Sequence, residues 1–256
     1  MNAKIVERHD LSEDLAVWRV KPVERAVRFI PGQYMSFGIP TKGGRLGDEV
    51  PVIVRPYSVS SSPSQTDYFE FLIRRVSDGE ATPRLWDLSV GDALWIRESA
   101  KGDFTVDLAE PKKRLLILAT GTGLGPFMSM IRYLNERGEL PPVTVVHGVR
   151  STSELVYFNE LNYLEKSRPG FVYCSCVSRE ASPIRGHTMV EGRITNLLRS
   201  QDFIRATGHH LEPEHTTAML CGNPDMIADS VDELERRGFS VHTKNQRGNV
   251  HFERYW

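Results

Sequence analysis

One segment constrains the fold more than any other part of the chain. Residues 115–131 read LLILATGTGLGPFMSMI, an apolar run followed by Gly121, Gly123 and Gly125 and then by apolar residues at helical spacing. In α/β sheets, a glycine-rich turn between a buried strand and a helix binds phosphate, because the backbone can approach the anion and the helix amides attract it. The spacing G-x-G-x-G-P matches neither the usual dinucleotide fingerprint nor a Walker loop. We expect a phosphate-binding turn; a tight turn without a ligand is the alternative.

The first part of the chain has the pattern of strands. Up to about residue 107, runs such as QYMSFGI, YFEFLIRRV and DALWIRE are rich in β-branched and aromatic residues and are separated by turn signals. In YFEFLIRR the apolar residues Phe69, Phe71 and Ile73 occupy alternate positions, which is the period of a half-buried strand. Such runs favour an antiparallel barrel or sandwich. The stretch from Pro40 to Pro51 reads as a long exposed loop.

The second part follows a linker near Ala109–Lys113 and has a different period. Five apolar runs lie about one helix apart: LLILAT, VTVVHG, FVYCSCV, TAMLCG and FSVHTKN. The segments between them carry apolar residues at helical spacing. Alternation of strand and helix predicts a parallel sheet with helices on both faces.

Composition excludes several classes of protein. The net charge of −1 provides no general attraction to nucleic acid or to an anionic membrane. No segment approaches the roughly 20 apolar residues of a membrane span, and the first residues do not form a signal peptide. Three cysteines are too few for a disulfide framework or an iron–sulfur cluster. We therefore expect a reduced, cytoplasmic protein without a metal site, and we interpret the histidines of GHHLEPEH as part of a solvated loop.

Basic residues follow two of the expected parallel strands. The second strand ends VVHGVR, where an NAD site would usually have an acidic residue for the ribose. Arg150, Arg179 and Arg193 could converge at the carboxyl edge of the sheet, with Ser178 as a hydroxyl donor. Because arginine forks suit a phosphate monoester, this arrangement favours NADP over NAD. The alternative is that the three arginines lie apart on the surface.

The first half contains a second candidate ligand site. RPYS, residues 55–58, places Arg55 and Tyr57 on the same face of an expected strand, where a cation and a flat ring could meet one ligand. Downstream, DGEATPRL offers Gly79 and small residues before a short helix expected at Thr82. Its backbone amides could hold a pyrophosphate.

Together these motifs resemble the ferredoxin–NADP reductase superfamily of flavoproteins, along the whole chain. The resemblance rests on RPYS, DGEATPRL, ATGTGLGPF and CGNPDMI, in this order, and the ending ERYW is most similar to the bacterial ferredoxin/flavodoxin–NADP reductases. It implies two domains. Residues 1–108 would form a six-stranded antiparallel β-barrel that binds FAD. Residues 109–256 would form a five-stranded parallel α/β domain that binds NADP, with a C-terminal tail that returns to the FAD.

The resemblance also implies which residues bind FAD. Arg55 would contact the pyrophosphate, Tyr57 would stack on the isoalloxazine, and Ser58 would hydrogen-bond near its N5. Tyr255 would cover the opposite face and would have to move aside for the nicotinamide, while Trp256 would stack on the adenine. The implied FAD set is Arg55, Pro56, Tyr57, Ser58, Leu72, Glu80, Ala81, Thr82, Thr122, Tyr255 and Trp256.

For NADP the implied residues lie in the second domain. Cys221 would lie beside the nicotinamide, and Asp225 would begin the next helix near the cofactor. The implied NADP set is Gly121, Gly123, Val149, Arg150, Ser178, Arg179, Arg193, Gly222 and Asp225. The implied catalytic set is Tyr57, Ser58, Cys221 and Tyr255.

By this resemblance the protein is an enzyme that exchanges electrons between NADP(H) and a ferredoxin or flavodoxin, and we expect it to be a monomer. An NAD(P)H-dependent flavin reductase, an oxygenase reductase component and a non-enzymatic electron-transfer or regulatory subunit share the same fold. EPKKR could dock an acidic partner or belong to an interdomain surface. Glu253 could relay a proton, although a surface carboxylate near a chain end is the more common case.

Overall fold

The computed structural model describes residues 1–23, 27–39 and 53–255. The loop expected between Pro40 and Pro51 and the aromatic side chain of Trp256 lie outside the described residues. The chain forms two compact units, Met1–Val106 with Gly125–Glu136, and Asp107–Leu124 with Arg137–Trp256. The helix after the glycine turn therefore belongs to the first unit, and the boundary expected between residues 108 and 109 stays a prediction.

The first unit contains an antiparallel sheet of six strands. Its strand order is β4-β3-β6-β1-β2-β5. The two outer strands meet just beyond β4, where Val59 forms an antiparallel bridge with Phe71 and the Ser60 amide donates to the Glu70 carbonyl at 2.8 Å. This contact closes the sheet into the expected barrel. The strands are β1 Ala3–Ser12, β2 Leu15–Pro22, β3 Tyr34–Ile39, β4 Ile53–Ser58, β5 Phe69–Arg74 and β6 Ala93–Ile96.

Large side chains fill the interior of the barrel. Trp18, Phe37 and Phe71 are fully buried, and the rings of Phe37 and Phe71 meet edge to face at 4.7 Å. Strand β5 differs from the half-buried strand that its alternation predicts, because Glu70 and Leu72 on its other face are buried as well. The prediction of one exposed face was wrong for this strand, since a helix of the same unit covers it.

That helix is α2, Gly125–Glu136, which follows the glycine turn in sequence. Its Arg132 pairs with the buried carboxylate of Glu70 at 2.8 Å and donates to the Ser60 carbonyl at the same distance. The Ser129 hydroxyl donates to the Ser61 carbonyl at 2.7 Å. A charged pair and hydrogen bonds to backbone thus attach α2 to the outside of the barrel. The other helix of the unit, α1, spans Thr82–Trp86.

The second unit is a six-stranded parallel sheet in the order β10-β9-β8-β7-β11-β12. Because β8 and β11 lie on opposite sides of β7, the carboxyl ends of β7 and β11 form the switch point at which open α/β sheets bind ligands. The strands are β7 Arg114–Thr120, β8 Val143–Ser151, β9 Phe171–Glu180, β10 Thr188–Glu191, β11 Thr216–Gly222 and β12 Val250–Arg254. The helices are α3 Phe158–Ser167, α4 Ile194–Arg199, α5 Asp202–Thr207 and α6 Pro224–Arg236.

The predicted fold class is confirmed, with two corrections to the parallel sheet. It has six strands instead of five, because the short segment TMVE, only half of it apolar, forms β10 beside β9. The run FSVHTKN is not the strand after α6; Val241 makes only an isolated bridge with Val250, and the last strand is β12. Among the helices of the described residues, none has the length and apolar character needed to cross a membrane.

Candidate functional site

The glycine turn follows β7 as a short 3₁₀ segment, Gly121–Leu124. Gly121 has a φ of +52°, in the left-handed region that glycine adopts without strain. At Gly123 a Cβ atom would overlap the backbone carbonyl of Cys221. Gly222 has a φ of +129°, and a Cβ atom there would overlap Thr120. The carboxyl ends of β7 and β11 therefore approach so closely that only glycine fits at both positions.

Hydrogen bonds hold the same two strand ends together. The Asn223 amide donates to the Thr120 hydroxyl at 2.8 Å, which joins the end of β7 to the start of α6. The Asn223 side chain accepts from the amides of Asp225 and Met226 at 2.9 and 3.1 Å. It is therefore a helix N-cap, and it places Asp225 in the first turn of α6.

Cys221 lies fully buried at the end of β11. Burial and the nearby carboxyl of Glu253 raise the pKa of the Cys221 thiol, so it stays protonated at neutral pH. Glu253 lies opposite Cys221 on β12, and burial raises the pKa of its carboxyl to about 7. The backbone amide of Tyr255 donates to the Gly222 carbonyl at 3.2 Å, and its side chain hydrogen-bonds to Cys221. These contacts place Tyr255 beside two of the predicted NADP residues, Cys221 and Gly222.

The predicted 2'-phosphate residues lie at or just beyond the carboxyl ends of three neighbouring strands. Val149 on β8 lies opposite Val177 on β9, which lies opposite Glu191 on β10. The expected side chains come one or two positions after these residues, so strand register brings them to one carboxyl edge. They are Arg150, Ser178, Arg179 and Arg193.

Two contacts shape this edge. The Ser178 hydroxyl donates to the Val149 carbonyl at 3.2 Å, which ties the ends of β8 and β9 together. The Arg150 guanidinium is paired at 2.7 Å with Glu154, a buried carboxylate in the 3₁₀ turn Thr152–Glu154. Arg179 and Arg193 are exposed, and Arg193 immediately precedes α4.

The predicted FAD residues of the first unit come together at one end of β4. Arg55 lies opposite Phe37 of β3, and its half-exposed guanidinium is 3.8 Å from the Glu80 carboxylate. RPYS and DGEATPRL therefore meet, as a shared ligand would require. The ring of Tyr57 packs on Phe37 with the centroids 4.7 Å apart and stays partly exposed. Burial raises the pKa of the Tyr57 phenol, an effect that Arg55 opposes. Ser58 is buried at the end of the strand.

The turn before α1 is held by Thr82. Its hydroxyl accepts from the Val76 amide at 2.8 Å, and the Gly79 amide donates to the Val76 carbonyl at 3.0 Å. Ala81, the residue before the helix, is buried and, within the described part of the chain, provides no side-chain cap for the first turn. The amides of the first turn of a helix lack partners within the helix. They could therefore donate to phosphate oxygens.

The donors at the two sites fit the expected cofactors. The first unit combines a guanidinium, a partly exposed aromatic ring and uncapped helix amides, which suit a dinucleotide with a flat, apolar ring system. In the second unit a glycine turn with no room for a Cβ atom at Gly123 and an arginine-rich strand edge suit a dinucleotide that carries a pyrophosphate and a separate phosphate monoester. The roles given to individual residues stay predictions.

Three residues of the site were not recognised in the sequence. Asn223 precedes Pro224, and this N-cap and N1 combination is a signal that could have identified the start of α6. Thr120 lies one position before the glycine turn and was read only as the end of a strand. For Glu154 the sequence carries no signal, because a buried carboxylate looks like any surface glutamate.

Comparison with known proteins agrees with the two sites. Residues 2–105 match the family model of the oxidoreductase FAD-binding domain, and residues 117–232 match that of the oxidoreductase NAD-binding domain. A flavodoxin/ferredoxin–NADP reductase of Buchnera aphidicola is 30% identical over 230 residues, covering 89% of this chain and 88% of that protein. A ferredoxin–NADP reductase of Pseudomonas aeruginosa is 32% identical over 224 residues, covering 84% and 81%.

A similar solved structure is a ferredoxin–NADP⁺ reductase from Neisseria gonorrhoeae with bound FAD and NADP. It has a TM-score of 0.86 and 26% identity, and the match covers 99% of this chain and 98% of that one. The family models confirm the predicted FAD-binding domain and the predicted domain for a nicotinamide dinucleotide.

Proposed function

The chain belongs to the flavodoxin/ferredoxin–NADP reductase family, and on that premise we propose that it passes electrons between NADP(H) and a ferredoxin or flavodoxin. When bound, FAD supplies the exchange between hydride and single-electron chemistry. The observation that carries the proposal is the carboxyl edge of the parallel sheet, where Arg150, Ser178 and Arg193 lie at the ends of neighbouring strands. That edge selects a nucleotide with an extra phosphate, as an NADP-dependent reductase requires.

In the first unit, residues at the end of β4 would hold the FAD. Arg55 would pair with its pyrophosphate, where Glu80 already keeps the guanidinium near the turn before α1. The amides at Ala81 and Thr82 would donate to the same phosphates. The Tyr57 ring, supported from behind by Phe37, would carry the isoalloxazine, and Ser58 would donate to it. Pro56 and Leu72 would complete the apolar surroundings.

In the second unit, the glycine turn and the arginine edge would hold NADP(H). Gly121, Gly123 and Gly222 let the backbone approach the nucleotide, and Thr122 lies in the same turn. The thiol of Cys221 is buried and neutral, so it would exclude water beside the nicotinamide without adding charge. Val149 and Asp225 would line the nucleotide, and Arg179 would pair with the 2'-phosphate.

Glu253 and Tyr255 would act at the reacting end of the site. With a pKa near 7, Glu253 could take up or release a proton at physiological pH. Tyr255 would cover the flavin until the nicotinamide displaces it, which makes the tail a gate. Trp256 would stack on the adenine.

The gate can be tested by removing the aromatic ring of Tyr255. Tyr255→Ala should change both the affinity for NADP(H) and the rate of hydride transfer; unchanged values for both would refute the gate.

The electron acceptor, the cytoplasmic location and the monomeric state are parts of this proposal. A flavin reductase or an oxygenase reductase component would use the same two sites. Cytochrome c reduction with a panel of ferredoxins and flavodoxins, compared with free flavin as acceptor, would separate these activities. Activity with free flavin alone would replace the proposed acceptor.

The coenzyme assignment has a direct test. The purified protein should show a flavin absorbance band at about 450 nm. Its kcat/KM should be higher with NADPH than with NADH. Arg179→Ala should lower that preference, because an exposed guanidinium facing the 2'-phosphate would be lost. Arg205→Ala, which removes an exposed arginine of α5, is the control. A preference unchanged by Arg179→Ala would show that this residue does not read the 2'-phosphate.

A further inference from the structure

The side chain of Arg150 is held by a neighbouring carboxylate before any nucleotide binds. We propose that Glu154 is a positioning residue for NADP(H): it orients the Arg150 guanidinium toward the 2'-phosphate and so contributes to the preference over NAD(H). This inference rests on the proposed role of Arg150. Glu154 itself would not touch the nucleotide.

The geometry of the pair is specific. Oε1 of Glu154 accepts from Nε of Arg150 at 2.9 Å and from Nη2 at 2.7 Å, so one oxygen binds one edge of the guanidinium. Oε2 accepts from the backbone amide of Arg150 at 3.3 Å. Because the guanidinium is planar and Glu154 contacts both its fork and its backbone, these bonds fix its plane relative to the end of β8.

Burial is unequal in the pair. The Glu154 side chain is only 8% exposed, whereas the Arg150 side chain is 43% exposed. The carboxylate is therefore fixed in the protein and the guanidinium reaches from it toward solvent. A carboxylate this deeply buried is retained only when its oxygens are paired or hydrogen-bonded, which is the role that the contacts with Arg150 fill.

The turn that carries Glu154 is itself anchored to the neighbouring strand. The Thr152 hydroxyl accepts from the Ser182 amide at 2.8 Å and donates to the carbonyl of Glu180, the last residue of β9, at 3.3 Å. The same β9 end carries Ser178 and Arg179. The position of Glu154, and through it that of Arg150, is thus tied to the strand that carries two of the other predicted 2'-phosphate residues.

Orientation before binding affects affinity because a free arginine must lose side-chain entropy when it pairs with a phosphate. Glu154 imposes much of that loss during folding. Its charge also reduces the net attraction for the phosphate, so the benefit depends on hydrogen bonding and not on charge. A variant that keeps the acceptor oxygen and removes the charge separates these two effects.

Binding of 2',5'-ADP and of 5'-AMP to the FAD-loaded protein, measured by calorimetry, provides a test that needs no turnover. Glu154→Ala should raise the Kd for 2',5'-ADP by about fivefold to tenfold and leave that for 5'-AMP within about twofold. Glu154→Gln, whose amide oxygen can still accept from Nε and Nη2, should stay within about threefold of the wild type. In turnover, Glu154→Ala should raise the KM for NADPH and leave kcat and the KM for NADH unchanged.

Glu233→Ala is the matched control, because Glu233 of α6 forms the same type of pair with Arg237, which follows the helix, with Nε and Oε1 2.9 Å apart. It should leave both Kd values unchanged. Equal weakening of 2',5'-ADP and 5'-AMP by Glu154→Ala, or equal losses in Glu154→Ala and Glu154→Gln, would overturn the inference.

Arg150→Gln separates this inference from the function on which it rests. If Arg150→Gln leaves 2',5'-ADP binding unchanged, the proposed role of Arg150 is wrong. If Arg150→Gln weakens binding but Glu154→Ala does not, only the role of Glu154 is wrong. In the double variant, Glu154→Ala should add no further loss, since its effect passes through Arg150.

Discussion

The two candidate binding regions are built from different parts of the chain. At the glycine turn, where β7 and β11 end, backbone forms the surface, and Gly123 and Gly222 leave no space for a Cβ atom. At the end of β4 in the barrel, side chains form it, with the half-exposed Arg55 and the ring of Tyr57 standing on a regular strand. A nucleotide would meet peptide groups in one region and rotatable side chains in the other.

This difference predicts whether a substitution lowers both stability and ligand binding or lowers ligand binding alone. Where backbone forms the site, a substitution disturbs the close approach of two strands, so stability and binding should be lost together. Where side chains form it, an exposed residue can be removed while the strand keeps its hydrogen bonds. Three substitutions test this distinction.

The largest effect is expected for Gly123→Ala. Its Cβ atom would overlap the Cys221 carbonyl, which is backbone and cannot rotate away, so we expect a loss of about 3 kcal/mol in the free energy of unfolding. Gly121→Ala is the control, because a Cβ atom there meets nothing within 4 Å and the cost is the left-handed φ alone, about 1 kcal/mol. Urea denaturation of both variants would measure the difference. Equal losses of unfolding free energy in the two variants would mean that the close approach of Gly123 to Cys221 does not determine which residue fits in the turn.

An intermediate effect, on binding alone, is expected for Arg55→Ala. Loss of a charged hydrogen bond to the pyrophosphate should weaken FAD binding by about 2 kcal/mol, roughly thirtyfold in Kd. The stability of the FAD-free protein should change by less than about 0.5 kcal/mol, since the side chain is half exposed. Flavin fluorescence on titration and a thermal melt of the FAD-free protein check the two parts. A large drop in the melting temperature of the FAD-free Arg55→Ala protein would show that this residue also supports the fold. The proposed difference between the β4 region and the glycine turn would then be wrong.

The third effect is absent at neutral pH and develops only in acid. His147 is fully buried in β8, and burial lowers the pKa of its imidazole to about 4. The unfolded chain therefore binds a proton that the folded chain does not between the ordinary histidine pKa of about 6.5 and pH 4. The stability that the neutral imidazole provides is complete above about pH 6.5 and is lost as the pH falls through this window, by up to about 1.4 kcal/mol per pH unit.

His147→Gln should reduce that slope and leave the flavin site unaffected at pH 7. Unfolding free energies measured between pH 7 and pH 5 would check it. A slope identical to that of the wild type would show that another group governs the acid sensitivity of the parallel unit.

The sequence predicts the backbone-built region better than the surroundings of the side-chain-built one. Glycines between an apolar strand and a helix indicate a close approach by themselves, and the turn lies where the motif indicates. Burial of Glu70 depends on α2, which is distant in sequence, so alternation in β5 could not reveal it. The strand after α6 was placed wrongly because FSVHTKN and VHFER are both short apolar runs, and only pairing with β11 distinguishes them.

The attachment of α2 to the barrel also bears on how the protein is made. Glu70 accepts from Arg19 at 3.1 Å within the barrel strands, but its pairing with Arg132 needs residues translated much later. While only the six strands have been synthesised, Glu70 can pair with Arg19 but not with Arg132, and the outer face of β5 is exposed to solvent. Domains generally fold in order of synthesis. Here the first unit cannot complete its folding until α2 has been translated, and β7 and the glycine turn of the second unit come before α2 in the chain. Synthesis of the second unit therefore begins before the first unit is complete.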